Sequence, residues 1–62
     1  IKVYAADHTI VIENVDNRQA EIFKIDGSKI FDEIISYKDR IRVETGIYIV
    51  RIDGKSFKVT VR

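Results

Sequence analysis

The feature that most narrows the fold of this chain is Asp53-Gly54, which interrupts a β-rich stretch running from Gly46 to Arg62. A two-residue type I′ turn needs φ > 0 at both central positions, which Gly tolerates freely and Asp better than most residues. Such a turn sets Ile52 against Lys55, Val50 against Phe57, Tyr48 against Val59 and Gly46 against Val61. One face of the hairpin then carries Tyr48, Val50, Ile52, Phe57, Val59 and Val61, and it is the core side. The other face is mixed and basic, with Ile47, Ile49, Arg51, Ser56, Lys58, Thr60 and Arg62.

Short alternating runs of Ile, Val, Phe, Tyr and Thr recur upstream between Asp, Asn and Gly, and helical spacing is absent. This is an all-β pattern. Ile1 to Ala5 reads as a first strand with Val3 and Ala5 inward, ended by Asp7-His8. Thr9 to Asn14 reads as a second, with Ile10 and Ile12 inward and Val11 pointing the other way, so that this strand is covered on both faces or lies at an interface. Asp16-Asn17-Arg18 reads as a turn. A second Asp-Gly, Asp26-Gly27, joins Ala20–Ile25 to a strand from Ser28 to about Ile35. A two-residue loop there would oppose Lys24 and Lys29, so a three-residue loop with Gly27 in the bulge position is expected, pairing Ile22 with Ile30. Phe23 and Phe31 would then share the opposite face. Alternation breaks over Asp32–Tyr37, where the chain bulges or crosses to another sheet. Arg40–Glu44 alternates cleanly with Ile41 and Val43 inward. About seven short, mostly antiparallel strands in 62 residues are too many for one sheet with a single buried face, so two small sheets packed face to face are expected.

At 62 residues the chain is one domain near the lower limit of independent stability. The hydrophobic fraction of 45% and charged fraction of 34% suit a folded domain rather than a disordered one. No run approaches the roughly twenty apolar residues of a membrane helix. A chain without methionine that opens on Ile1-Lys2-Val3 is expected to be a domain cut from a longer protein. No cysteine and one histidine, His8, leave no disulfide, thiolate site or histidine cluster, and no metal or cofactor site is expected.

Catalytic groupings are equally sparse. Asp32 and Glu33 are adjacent in a strand-like run and point to opposite faces, which is wrong for a shared acid–base site. His8, beside Asp7, reads as a turn residue, and the Asp-Gly pairs lack the ligand run of a calcium loop and the context of a phosphate loop. No enzymatic role is expected. The basic strand face lacks interleaved surface aromatics, and a pI near 8.2 is modest, so no nucleic-acid role is expected. Charge is nonetheless uneven: residues 1 to 37 carry a net −3 and residues 38 to 62 a net +4, within a total of +1.

The order Ile10-Val-Ile-Glu-Asn14, Ala20-Glu-Ile-Phe-Lys-Ile-Asp-Gly27, Ile41-Arg-Val-Glu-Thr-Gly-Ile-Tyr-Ile-Val-Arg-Ile52 and Lys55-Ser-Phe-Lys-Val-Thr-Val61 resembles the C-terminal sorting domains of type IX (Por) secretion in Bacteroidetes. Where those domains commonly open on a Tyr-Pro-Asn-Pro-like segment, this chain has Val3-Tyr4-Ala5-Ala6-Asp7. In this it is closer to the related immunoglobulin-like domains that end Bacteroides surface proteins. The resemblance implies an Ig-like β-sandwich at the C-terminus of a secreted or cell-surface protein, acting as a non-catalytic sorting or anchoring module. The outer-membrane secretion machinery would read its last hairpin through Gly46, Tyr48, Arg51, Asp53, Gly54, Lys58 and Arg62. The alternative is a retained structural or adhesive domain that packs on an upstream domain or binds a surface ligand, with Phe23 and Phe31 as the contact.

Overall fold

A computed structural model describes residues 1–62 and shows seven strands: β1 (Lys2–Ala6), β2 (Thr9–Glu13), β3 (Arg18–Lys24), β4 (Lys29–Ile35), β5 (Asp39–Arg42), β6 (Gly46–Ile52) and β7 (Lys55–Val61). The closing hairpin has the expected register throughout, from Ile52 opposite Lys55 to Gly46 opposite Val61. Asp53 and Gly54 sit at φ 52° and 79°, the type I′ pair that two-residue hairpins favour because its twist matches that of the strands. Of the six residues assigned to the core face, Tyr48, Val50, Ile52, Val59 and Val61 are buried and Phe57 is half-buried.

The strands form two sheets, β1-β2-β5 and β4-β3-β6-β7, with every pairing antiparallel. They pack as a small β-sandwich around one core. Ile10 and Ile12 come from the first sheet, Ala20, Ile22, Ile35, Tyr48, Val50, Ile52, Val59 and Val61 from the second, and Val15 from the crossing between them. An immunoglobulin constant domain pairs its strands A-B-E-D and C-F-G. Numbered along this chain, every one of those pairings is kept but one: β4 lies beside β3 instead of β5. Two of the three crossings between the sheets, β2 to β3 and β4 to β5, are tied together by Val15 N–H to the Tyr37 carbonyl at 3.0 Å and Asn17 N–H to that of Ser36 at 3.4 Å.

Val11 is only 1% exposed although it points away from the core, so β2 is indeed covered on both faces. Its cross-strand neighbours on the outer face are Tyr4 and Arg40. Arg18, expected in a turn, opens β3, and the left-handed residues of that connection are Asn14 and Asn17, at φ 60° and 49°.

The second hairpin keeps its three-residue loop and departs from expectation just beyond it. Gly27 has φ 94°, its N–H bonds to the Lys24 carbonyl at 2.9 Å, and Lys24 N–H bonds to the Ser28 carbonyl at 2.8 Å. The register then shifts, pairing Phe23 with Lys29 but Ile22 with Phe31. Ile30 is the extra residue of a bulge, and one extra residue reverses every later side chain. Phe31 therefore turns inward to join the core, Ile30 is left exposed, and the two phenylalanines do not share a face. Over Asp32–Tyr37 the strand itself does not bulge: Phe31, Glu33 and Ile35 lie on the inner row and Ile34, 71% exposed, on the outer one, and after Ile35 the chain crosses to the other sheet. Glu33 is tolerated there because β4 is an edge strand and leaves it exposed.

The first hairpin turns at Asp7-His8, where the sequence ends the first strand. Ala6 pairs with Thr9 across Asp7 and His8, both left-handed at φ 50° and 57°, which makes a second type I′ turn without glycine. Replacing His8 by Gly should therefore raise stability by on the order of 0.5–1 kcal/mol, the relief of left-handed strain being partly offset by unfolded-state entropy. Gly54→Ala should cost about 1–2 kcal/mol through φ alone, since no atom lies within 4 Å of the added carbon. Gly46→Ala, with no such φ and ordinary contacts of 3.7 Å to the Tyr48 ring, should stay within about 0.5 kcal/mol of the parent. Urea denaturation of the three variants checks all three values.

Candidate functional site

The outward face of the four-stranded sheet gathers most of the polar structure of the molecule. β3 and β6 lie side by side at its centre, setting Glu21 opposite Arg51 and Phe23 opposite Ile49; β4 brings Asp32 opposite Glu21 and Lys29 opposite Phe23. The Lys29 ammonium bonds Glu21 Oε2 and Asp32 Oδ2, each at 2.9 Å. Arg51 Nη2 reaches Glu21 Oε1 at 3.3 Å from the other side, and Gln19 Nε2 donates to Asp32 Oδ1 at 2.5 Å. Both cations also stand over Phe23, Arg51 at 5.3 Å and Lys29 at 5.9 Å from the ring centroid. Phe23 is thus half-buried beneath an ionic network rather than presented as a bare platform.

The network shifts its own titrations. Hydrogen bonding to Lys29, then to Arg51, holds the Glu21 carboxyl below its ordinary value, and bonds from Gln19 and then Lys29 do the same for Asp32. The same bonds to Asp32 and Glu21 raise Lys29. Asp26 is lowered separately by the Ser28 hydroxyl and backbone N–H that close its turn.

Of the residues singled out in the sequence, Arg51, Asp53 and Gly54 come together. With Asn17, Arg18, Gln19 and Glu21 they line a shallow depression without a hydrophobic side chain at one end of this face. Lys58 faces outward beside Ile49 on β7, and Arg62 lies near Ala5–His8 at the far end. Tyr48 is turned inward, 5% exposed, and its hydroxyl donates to the Glu44 carbonyl at 2.7 Å. A tyrosine near the start of the sixth strand that bonds back to the preceding corner is the tyrosine corner of Greek-key sandwiches. Tyr48, with Gly46 packed over its ring, therefore fixes the base of the hairpin instead of meeting a ligand. Glu21, Lys29 and Asp32 were missed, because the Glu21–Arg51 bond joins residues 30 apart and depends on β3 pairing with β6.

The outer face of the three-stranded sheet is built around Tyr4. Its hydroxyl donates to Glu13 Oε2 at 3.2 Å and the Lys2 ammonium stands 5.4 Å over its ring. Desolvation, reinforced by the Glu13 carboxylate, raises the Tyr4 phenol above its usual value. No group of three or more His, Cys, Asp or Glu side chains is gathered that could hold a metal ion, and no helix is long and apolar enough to cross a membrane.

Residues 1–61 match the family model described as a domain of unknown function, DUF6383, and the chain belongs to that family. No curated protein and no solved structure matches it.

Two outcomes follow for the residues on this face and its base. Tyr48→Phe removes one hydrogen bond from a well-packed corner and should cost about 0.5–1.5 kcal/mol in chemical denaturation. For pH, a carboxyl whose folded pKa is lowered contributes stability that is present above the unfolded value and lost as pH falls through the folded one. The melting temperature should therefore drop on acidification through and below the ordinary carboxylate range, and Glu21→Gln/Asp32→Asn should show a shallower drop.

Proposed function

We propose that this DUF6383 domain is a non-catalytic sorting or anchoring module of a secreted or cell-surface bacterial protein, recognised through its closing hairpin. The observation that carries the reading is the placement of that hairpin: β7 is the last strand of its sheet, so one side of its backbone from Lys55 to Lys58 is open to a partner strand. Toward Thr60–Arg62 the edge is flanked by Ala5–His8. The outward residues Arg51, Asp53, Gly54, Lys58 and Arg62 would meet the partner, while Gly46 and Tyr48 hold the hairpin's base. The resemblance of the Gly46–Ile52 and Lys55–Val61 segments to type IX sorting domains supports the same reading.

A specific observation also favours a second reading, a retained packing or adhesive domain. Phe23 and Ile49 are half-buried cross-strand neighbours, and Ile47, 38% exposed, extends their row on the outward face. An apolar row of this kind on an otherwise charged face suits contact with another surface. Phe31, turned into the core, no longer contributes to it.

Peptide mapping by mass spectrometry separates the two in the bacterium that makes the parent protein. A removable sorting module predicts residues 1–62 in the intracellular precursor and their loss from the surface fraction. Surface material that still ends in this sequence would overturn removal and support the retained domain, in which case Phe23→Ser with Ile49→Ser should abolish surface attachment or domain packing.

A further inference from the structure

We propose that the open edge of β5 is a second docking site, one that takes an extended strand of a partner protein in which acidic and apolar residues alternate. It lies on the other sheet from the β6–β7 hairpin and is independent of the reading above. The topology leaves the place free: β5 ends the order β1-β2-β5, and β4, which a constant-domain arrangement would set beside it, pairs with β3. The backbone there faces outward. Val43 N–H bonds to the His8 carbonyl at 2.9 Å on the inner side of the strand, so alternation turns the N–H and C=O of Arg40 and Arg42 to the open edge. Consistent with this, Arg40 N–H is held by the neighbouring Asp39 carboxylate at 2.8 Å instead of by β2. A partner strand would displace that carboxylate.

The side chains specify the occupant. Ile41 and Val43 are half-buried on the inner row and open onto a shallow depression between the sheets that Ile30 and Tyr48 also line. Arg40 and Arg42 are exposed on the outer row, and neither is in a salt bridge. Same-face residues of a strand repeat about every 6.6 Å, so carboxylates two positions apart on an added strand would each meet one guanidinium, with the intervening apolar residues over Ile41, Val43 and Ile30. Glu44, just beyond Arg42, limits how far the acidic row can run. A second copy of this chain fits worse. Its β5 would oppose arginine to arginine, its β7 would bring Lys58 and Arg62, and Asp32 of its β4 is already held by Lys29 and Gln19.

The test is an NMR titration of the isotope-labelled 62-residue chain with a short capped peptide alternating glutamate and valine. Saturable shifts and slowed amide exchange at Arg40 and Arg42 are expected. Affinity should fall at least about tenfold in Arg40→Glu/Arg42→Glu, whose positions are exposed, and stay unchanged in Lys58→Glu. A backbone N-methylated version of the peptide should fail to bind. Absence of binding, equal binding of a lysine–valine peptide or of the N-methylated one, or shifts centred on β7 would overturn the proposal. Concentration-dependent shifts at β5 without peptide would assign the edge to a second copy and overturn it equally.

Discussion

The pairing of β3 with β6 is the contact on which the sandwich depends. Each strand is one arm of a local hairpin, β3 with β4 and β6 with β7, and only their mutual pairing makes one four-stranded sheet from the two. Ile22 opposite Val50 and Ala20 opposite Ile52 are fully buried at this seam, where the transfer of apolar surface is complete. The outward side of the same seam carries Glu21 with Arg51 and Phe23 with Ile49. One strand pairing thus supplies the centre of the core and the centre of the charged network together. The hairpins themselves are local and cheap in loop entropy; joining them is the long-range step.

The division into three and four strands follows from where β4 settles. A three-residue loop keeps it beside β3, and the bulge at Ile30 then turns Phe31 and Ile35 onto the core. Without the bulge those two positions would face solvent and Ile30 with Ile34 would face in, so the bulge selects which half of an otherwise ambiguous apolar run is buried. The crossing that follows carries the chain to the other sheet, where Val15 and Tyr37 meet through a backbone bond.

How far the sequence could be read depended on how local each determinant is. The β6–β7 register was legible because Asp53-Gly54 fixes it within two residues, and the inward positions of β1, β2 and β5 followed from strict alternation. The bulge at Ile30 was not legible, since Ile30, Phe31, Ile34 and Ile35 satisfy either phase. The Asp7-His8 turn was legible as a turn but not as a type I′ pair, since its two left-handed residues include no glycine to announce them. The candidate site was legible only in part: Arg51, Asp53 and Gly54 were placed together by the turn, whereas their partner Glu21 required a pairing between strands far apart in the chain. Tyr48 carries a readable signal, a tyrosine entering a strand just after a corner and facing the core, whereas the bond from its hydroxyl to the Glu44 carbonyl is visible only in the structure.

The seam between β1 and β7 has a mechanical consequence. Ala5–His8, at the end of β1, lie against Thr60–Arg62, at the end of β7, so the two strands touch with their C-terminal ends together and Ile1 lies at the other end of β1 from Arg62. A pull applied to the two ends draws β1 lengthwise along β2, and β7 lengthwise along β6. All the hydrogen bonds of each pair are then loaded in shear at once rather than unzipped singly. For a domain near the lower size limit of independent stability, the response to a pull along its chain is then set by the barrier to shearing these two strand pairs, a rate, rather than by its equilibrium stability.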